Sequence, residues 1–366
     1  MRFGLLQEGH LVDGVDTARR YHEMVDEVVL AEQVGFDFYC LPEQHFLRDV
    51  ATVSAPEVLF AYMAARTETI RLRFTSQVLL SFNHPVRIAE RVAALDIMSN
   101  GRVELGTARS NNLNTLEAFG VDPKTTRDQW GESLEVLQNA LSTGHIGHAG
   151  SIWNIPDRPL VPLPIQRPHP PIYVSATSLE THRRAGQLGL GVMNGNNILG
   201  WEYLEACLAQ YEEGLREAAQ SGVSPIHASR GVSILTAHCA DDPEQARREA
   251  ADAAFSFIDI CVQMYSRLSE TSPDYEYLGQ IKGIAEHSRD LDYLIGLAPY
   301  ISIGTPEFLI ERFRHLKSLG ADEILMRIDG MGHDVNLRAI DTIGRRVIAA
   351  LNADDTTQGE VRVAAP

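Results

Sequence analysis

Short apolar runs rich in β-branched residues alternate along the chain with longer amphipathic runs rich in Ala, Glu and Arg. A short continuous apolar run suits a strand buried on both faces, whereas apolar positions recurring every three or four residues suit a helix with one buried stripe. The pattern predicts strands at 3–7, 37–42, 72–79, 103–109, 172–176, 191–195, 232–238 and 323–329. It predicts helices at 17–34, 55–68, 85–98, 127–142, 179–188, 200–221, 243–268, 306–319 and 335–351. Eight strands with helices between them form a parallel sheet, closed or open. Eight is the strand count of a closed barrel, and no Gly-x-Gly-x-x-Gly motif follows the first strand. The expected fold is therefore α/β, a (β/α)8 TIM barrel with insertions, with residues 1–352 as one domain.

Three stretches interrupt the alternation. Residues 144–171 are rich in Gly, Pro and His and read as an insertion holding a short hairpin around Ser151-Ile152-Trp153. Residues 269–302 mix polar and apolar positions with weak periodicity. So long an irregular stretch marks a functional lid or a disordered segment, and a long mobile loop is expected there. Residues 353–366 read as a flexible tail.

Composition and charge narrow the function. Of 366 residues, 44% are hydrophobic and 22% charged, the balance of a soluble globular protein. Cys40, Cys207, Cys239 and Cys261 have no metal-like spacing and read as free, largely buried thiols of a reducing compartment. The first strand follows the N-terminus with no leader-like segment, and no apolar run approaches the roughly 18 residues of a membrane span. A cytoplasmic protein with no membrane partner is expected. The net charge of −17 disfavours a nucleic-acid partner, which needs a basic stripe, but says little about a small substrate.

In such a barrel the catalytic residues come from the C-terminal ends of the strands. That rule selects Glu43, Gln44 and His45 after the second strand, and Ser81, Asn83 and His84 after the third. It selects Arg109 with Ser110, Asn111 and Asn112 at the fourth, and Ser175, Ala176, Thr177 and Ser178 at the fifth. The last group leads into a helix near Leu179, where free backbone N–H groups and the positive helix end favour a phosphate. A plain helix cap by Ser178 or Thr177 explains the same residues, and local sequence favours it. Arg109 and Arg127 are candidates to neutralise a phosphate dianion. For Arg127, in the first turn of a helix, a surface salt bridge is the better default. His45 and His84 are candidate acid–base groups, although His84 precedes Pro85 at a helix start, which favours a structural role. Glu43 and His45 have no third ligand at a convincing spacing, so no metal is expected.

Several pieces recur in a fixed order: Met1-Arg2-Phe3-Gly4, Val34-Gly35-Phe36-Asp37, Glu43-Gln44-His45-Phe46 and His84-Pro85-Val86-Arg87. Leu95-Asp96-Ile97-Met98-Ser99-Asn100-Gly101-Arg102, Ala176-Thr177-Ser178, Gln187-Leu188-Gly189-Leu190 and Gly304-Thr305-Pro306-Glu307 follow. As an ordered set they resemble the bacterial luciferase-like flavin monooxygenases, from Met1 to about Leu351. The resemblance implies reduced FMN bound at the C-terminal mouth of the barrel and supplied by a separate flavin reductase. It implies that O2 adds to the flavin C4a carbon, giving a peroxide that oxygenates a small organic substrate in a water-excluding pocket. Matched by motif, Arg109 and Arg127 correspond to phosphate-binding arginines. Ser175, Ala176, Thr177 and Ser178 correspond to the phosphate-binding turn, with Thr181 as a further hydroxyl. Glu43, Thr75 and Ser76 would border the isoalloxazine. The 269–302 stretch corresponds to a mobile active-site loop, and a homodimer is expected through helices on one side of the barrel.

One departure matters. Luciferase catalytic chains carry two histidines after this glutamate, and the first is the catalytic one. Here Gln44 takes that place and only His45 remains. A glutamine amide does not titrate near neutrality. Either His45 or a substrate group handles the proton in a different oxidation, or the chain resembles the non-catalytic luciferase subunit. That subunit lacks the phosphate-site arginine and the long loop, both present here, so an active monooxygenase is expected. Its reaction centre would hold Glu43, Gln44 and His45. A deazaflavin-dependent oxidoreductase and a non-catalytic flavin-binding subunit of a heterodimer are the alternatives.

Overall fold

A computed structural model describes residues 1–195 and 199–354. The first elements are β1 (Arg2–Leu6), α1 (Thr17–Gln33), β2 (Phe38–Pro42), α2 (Pro56–Ala64), β3 (Arg71–Val78), α3 (Pro85–Met98) and β4 (Val103–Ala108). There follow α4 (Leu113–Ala118), α5 (Thr126–Thr143), β5 (His148–Ala149), β6 (Asn154–Ile155), β7 (Ile172–Ala176), α6 (Leu179–Gln187), β8 (Gly191–Asn194) and α7 (Trp201–Gln220). The last third holds β9 (Arg230–Ile234), β10 (Thr236–Cys239), α8 (Pro243–Leu268), α9 (Lys282–Ala285) and α10 (Leu291–Leu297). It ends with β11 (Ile301–Gly304), α11 (Pro306–Ser318), β12 (Glu323–Arg327) and α12 (His333–Thr342). Eight strands close a parallel barrel in the order β1-β12-β9-β8-β7-β4-β3-β2. This is the expected (β/α)8 barrel.

Side chains alternate across the barrel wall, as the pleat of a strand requires. On β2, Phe38 and Cys40 join Leu6, Tyr173, Met193 and Leu325 in the interior, while Tyr39 and Leu41 pack outward in the larger helix-lined core. At the base of the barrel the Arg73 guanidinium lies 3.8 Å from the Phe38 ring and 4.0 Å from the Tyr173 ring. It donates to Glu104 at 2.6 Å and to Glu323 at 2.5 Å, and Arg2 reaches the same two carboxylates from below. Burial works against the charge on Arg73, but Glu104 and Glu323 outweigh it and raise its pKa. All four cysteines are free and buried.

Four boundaries differ from the sequence reading. The run 232–238 is not one strand: β9 stays in the barrel, and β10 leaves it to pair in parallel with β11. An apolar run that serves two sheets has no sequence mark at the switch. The 269–302 stretch is not irregular. A 3-10 helix (Pro273–Ile281), α9 and α10 fill it, with Tyr275, Leu278, Ile281 and Leu294 buried against α8 in a second core. Helices of one to three turns are too short to print a clear period. The element α4 was not predicted at all. Helix continues to Asp354, which pairs with Arg314 at 2.7 Å, so residues 353 and 354 are not tail. The remainder of the expected tail lies outside the described residues. The expected hairpin in 144–171 is present as β5 and β6.

One contact positions the helix that matters most below. A Cβ on Gly186 of α6 would stand 2.3 Å from the Tyr211 carbonyl oxygen, and one on Gly214 of α7 would stand 2.1 Å from that of Arg183. The two helices therefore touch backbone to backbone, a fit that only glycine allows. Among the described residues, no helix is long and apolar enough to cross a membrane.

Candidate active site

The C-terminal ends of the barrel strands surround a cavity of about 740 Å³, a volume within the roughly 300–1,000 Å³ range of small-molecule sites. Glu8, Glu43, Gln44, Thr75, Ser76, Arg109, Ser175, Ala176, Thr177 and Ser233 line it from the barrel. Phe257, Ile260, Cys261, Met264 and Tyr265 of α8, with Tyr275 and Leu278 of the following segment, line it from the other side. Thr75 and Ser76 sit where the β3–β4 register shifts between Phe74 and Gln77, a bulge of the kind that re-aims side chains at active sites. Phe46 and Ser110, each just past a strand end, adopt positive φ (62° and 67°), a strained setting for a residue with a Cβ.

At the start of α6 the structure gathers the anion-site candidates. Ser178 is the helix cap: its Oγ accepts from the Thr181 N–H at 3.2 Å and lies 2.8 Å from Thr181 Oγ1. The plain-cap reading therefore holds for Ser178, which is not part of the cavity wall, while Ala176, Thr177 and Thr181 are. Arg127 donates to Asp274 at 2.8 Å and lies 2.7 Å from Glu180 in the first turn of α6. Arg109 donates to the same Asp274 oxygen at 3.2 Å. The hydrogen bond from Arg127, then the charges of both arginines, hold the Asp274 carboxyl below its ordinary range. Thr177 pairs with the Tyr277 hydroxyl, and Thr126 with that of Tyr275 at 2.8 Å. Thr75 Oγ1 is buried beside the Cys40 thiol without a well-formed hydrogen bond. Two guanidiniums, the Thr177 and Thr181 hydroxyls and a helix N-terminus are a donor set that can hold a phosphorylated ligand.

The Glu43-Gln44-His45 run divides. The Glu43 carboxylate accepts from the Val78 N–H at 2.9 Å, Asn83 Nδ2 at 2.6 Å and the Gln77 amide, and lies 3.0 Å from His45 Nε2. Gln44 faces the cavity, its N–H donating to the Val53 carbonyl at 2.9 Å. His45 is not brought to the cavity wall. Its ring lies among Phe46, Phe82 and Phe119, at 5.9, 6.0 and 5.2 Å, and meets the site only through Glu43. His84 caps α3 through Nδ1 and packs at a tilt against Trp153, ring centroids 4.5 Å apart, the structural role expected of it.

Sequence reasoning missed Glu8 and Asp274. Glu8 follows β1, and the strand-end rule applied there would have found it. Asp274 lies in the weakly periodic segment, where no rule pointed. Beside Glu8, burial and then Arg327 lower the His10 pKa to about 4, and burial lowers that of His182, in α6, to about 4.

The sequence pattern of the luciferase-like monooxygenases matches residues 1–323. The chain is 24% identical, over 100% of its own length and 99% of the other's, to the oxygenase component of a flavin-dependent trigonelline monooxygenase from Acinetobacter baylyi. With some other curated relatives the match spans only about half of each chain. Two solved structures share the fold. One is the oxygenating constituent of 3,6-diketocamphane monooxygenase from Pseudomonas putida, in complex with FMN (TM-score 0.72, 20% identity, 95% and 98% of the two chains). The other is the coenzyme F420-dependent tetrahydromethanopterin reductase of Methanopyrus kandleri (TM-score 0.71, 18% identity, 95% and 99%). With its pattern matched over most of its length and its barrel closed as theirs are, the chain belongs to the luciferase-like monooxygenase family.

Proposed function

We propose that this protein is the oxygenase of a two-component system, binding reduced FMN from a separate reductase and using O2 to oxygenate a small organic substrate. The observation that carries the reading is the convergence of Arg109 and Arg127 on one oxygen of Asp274, in a cavity wall shared with Thr177 and Thr181 at the start of α6. Thr75, with its unsatisfied hydroxyl, Ser76 and Ser175 offer polar contacts for a flavin ring, and the whole set fits FMN. Reduced flavin, when bound, supplies the electrons that activate oxygen. The chain's own part is to clamp the phosphate, hold the ring and keep water away with the apolar wall of α8. Glu43, saturated by four partners, fixes the loops after β2 and β3, and so places Gln44 at the cavity. Gln44 orients by hydrogen bonding and transfers no proton. His45 is a positioning residue that acts through Glu43.

We place the whole activity in one domain, 1–352, in the cytoplasm, where four reduced thiols persist. The assembly in this reading is a homodimer. Val58 and Tyr62 on α2 and Ile97 and Met98 on the adjoining α3 are exposed apolar side chains that such a contact would cover.

The test mixes the protein anaerobically with photoreduced FMN and then with oxygen in a stopped flow. A delayed return of oxidised-flavin absorbance, lost in Arg109→Ala together with at least about tenfold of the FMN affinity, supports the proposal. No delay with tight coenzyme F420 binding would assign a deazaflavin oxidoreductase instead. No binding of either flavin until a partner chain is added would assign a subunit of a heterodimer.

A further inference from the structure

Under α8 the cavity wall is apolar, formed by Leu235, Phe257, Ile260 and Met264. One carboxyl stands among them. Glu8 is 8% exposed and belongs to the same wall. Its backbone is fixed on both sides: the N–H donates to Asp329 at 2.8 Å, and the carbonyl accepts from the Thr52 N–H at 2.9 Å. Its Oε2 accepts from Arg327 Nε at 2.8 Å. Arg327 is itself fully buried, 2.9 Å from His10 Nδ1 and 4.2 Å from the Phe257 ring. Among the described residues, no donor is paired with Glu8 Oε1. An acceptor on a cavity wall without a protein donor is met by water or by a donor on a ligand.

We infer that Glu8 Oε1 is the point at which the substrate is recognised, and that the substrate is a mainly apolar molecule carrying a neutral hydrogen-bond donor, such as a hydroxyl or an amide N–H. This rests on the monooxygenase reading of the same cavity. Arg327 neutralises the carboxylate, so a cation gains little there. An anion meets an acceptor and is refused. The apolar wall accounts for the rest of the molecule by burial. Burial raises the Glu8 pKa against the opposing pull of Arg327, so the preference for a donor is expected to strengthen as the pH of the titration rises.

The experiment titrates the full chain calorimetrically with four probes of one size: para-propylphenol, propylbenzene, para-propylbenzoate and para-propylacetophenone. The phenol is expected to bind about tenfold or more tighter than propylbenzene, and the benzoate weakest. In Glu8→Gln the amide oxygen takes the place facing Arg327 and the NH2 group faces the cavity. The preference then reverses toward the acetophenone, a signature that loss of structure does not produce. Replacing the pair together (Glu8→Leu with Arg327→Met) strands no buried charge and makes phenol and propylbenzene bind alike. Equal binding of those two by the unaltered protein, phenol binding weaker than about 1 mM, or an unreversed preference in Glu8→Gln overturns the inference. A parallel FMN titration separates the two ideas. Lost FMN binding in the unaltered protein defeats the flavin reading, whereas intact FMN binding with any of those results defeats only the role of Glu8.

Discussion

Asp274 Oδ2 lies 2.8 Å from Arg127 Nε and so occupies, with a carboxylate, the place where a phosphate would be neutralised. An anionic ligand at Arg109 and Arg127 has to displace this carboxylate or bear its repulsion. Asp274→Asn is therefore expected to tighten FMN binding by about tenfold, the scale of one charge-assisted hydrogen bond. Anaerobic titration of reduced FMN reads it, and an unchanged or weaker affinity would contradict the competition.

Glu43 presents the opposite case, an anion already satisfied. Removing it in Glu43→Ala strands the buried Val78 N–H and the Gln77 amide at once. The expected cost is about 3 kcal/mol of folding stability, from roughly 1–3 kcal/mol for each unsatisfied buried group. Urea unfolding measures it; a loss no larger than that of an exposed-site control would show that the cluster relaxes freely.

His45→Asn should lower reduced-FMN affinity less than Arg109→Ala does, because the ring stands among phenylalanines outside the cavity wall. A larger loss in the histidine variant, in side-by-side titrations, would return His45 to the reaction centre.

His182 is buried neutral between the Ser178 carbonyl, 2.7 Å from its Nδ1, and Asn194, whose Nδ2 lies 3.0 Å from its Nε2. Burial lowers its pKa from 6.5 to about 4 in the folded chain. Above 6.5 both folded and unfolded forms are neutral and stability does not depend on this group. Between 6.5 and 4 only the unfolded chain takes the proton, so stability falls with pH at up to about 1.4 kcal/mol per unit. His182→Gln is expected to flatten the curve in that window. An identical slope in both proteins, by denaturant unfolding at stepped pH, would remove the assignment.

Arg73→Ala leaves Glu104 and Glu323 buried beside each other, with Arg2 on both and Arg71 on Glu104 as the remaining cations. The expected loss is about 3–5 kcal/mol, as for other broken buried ion pairs. Arg73→Met with Glu323→Leu removes charge from both partners and should lose less; equal losses from the two variants would argue that packing alone matters here.

What could be read in advance followed from local rules. The barrel was legible because its strands are short apolar runs, and the place of Arg109 because it stands at a strand end; Thr75 and Ser76, inside β3 at its bulge, were indicated only by the family resemblance. The 232–238 run misled because an apolar sequence does not say which sheet it joins, and β10 pairs with β11, Thr236 opposite Ile301, far along the chain. Asp274 was illegible because its role comes from a contact with Arg127 across 147 positions of sequence. His45 stands at a strand end like the others, and only its neighbours, Phe82 and Phe119, show its ring to lie outside the cavity wall.

The layer of Arg73, Phe38 and Tyr173 has a kinetic meaning as well as a structural one. It stoppers the barrel from beneath, so in the proposed reaction the reactants would arrive at the end of the cavity that Tyr275 and Leu278 border. If flavin and substrate share that mouth, the first to enter narrows the passage for the second, and the order of binding becomes a property of the barrel's shape.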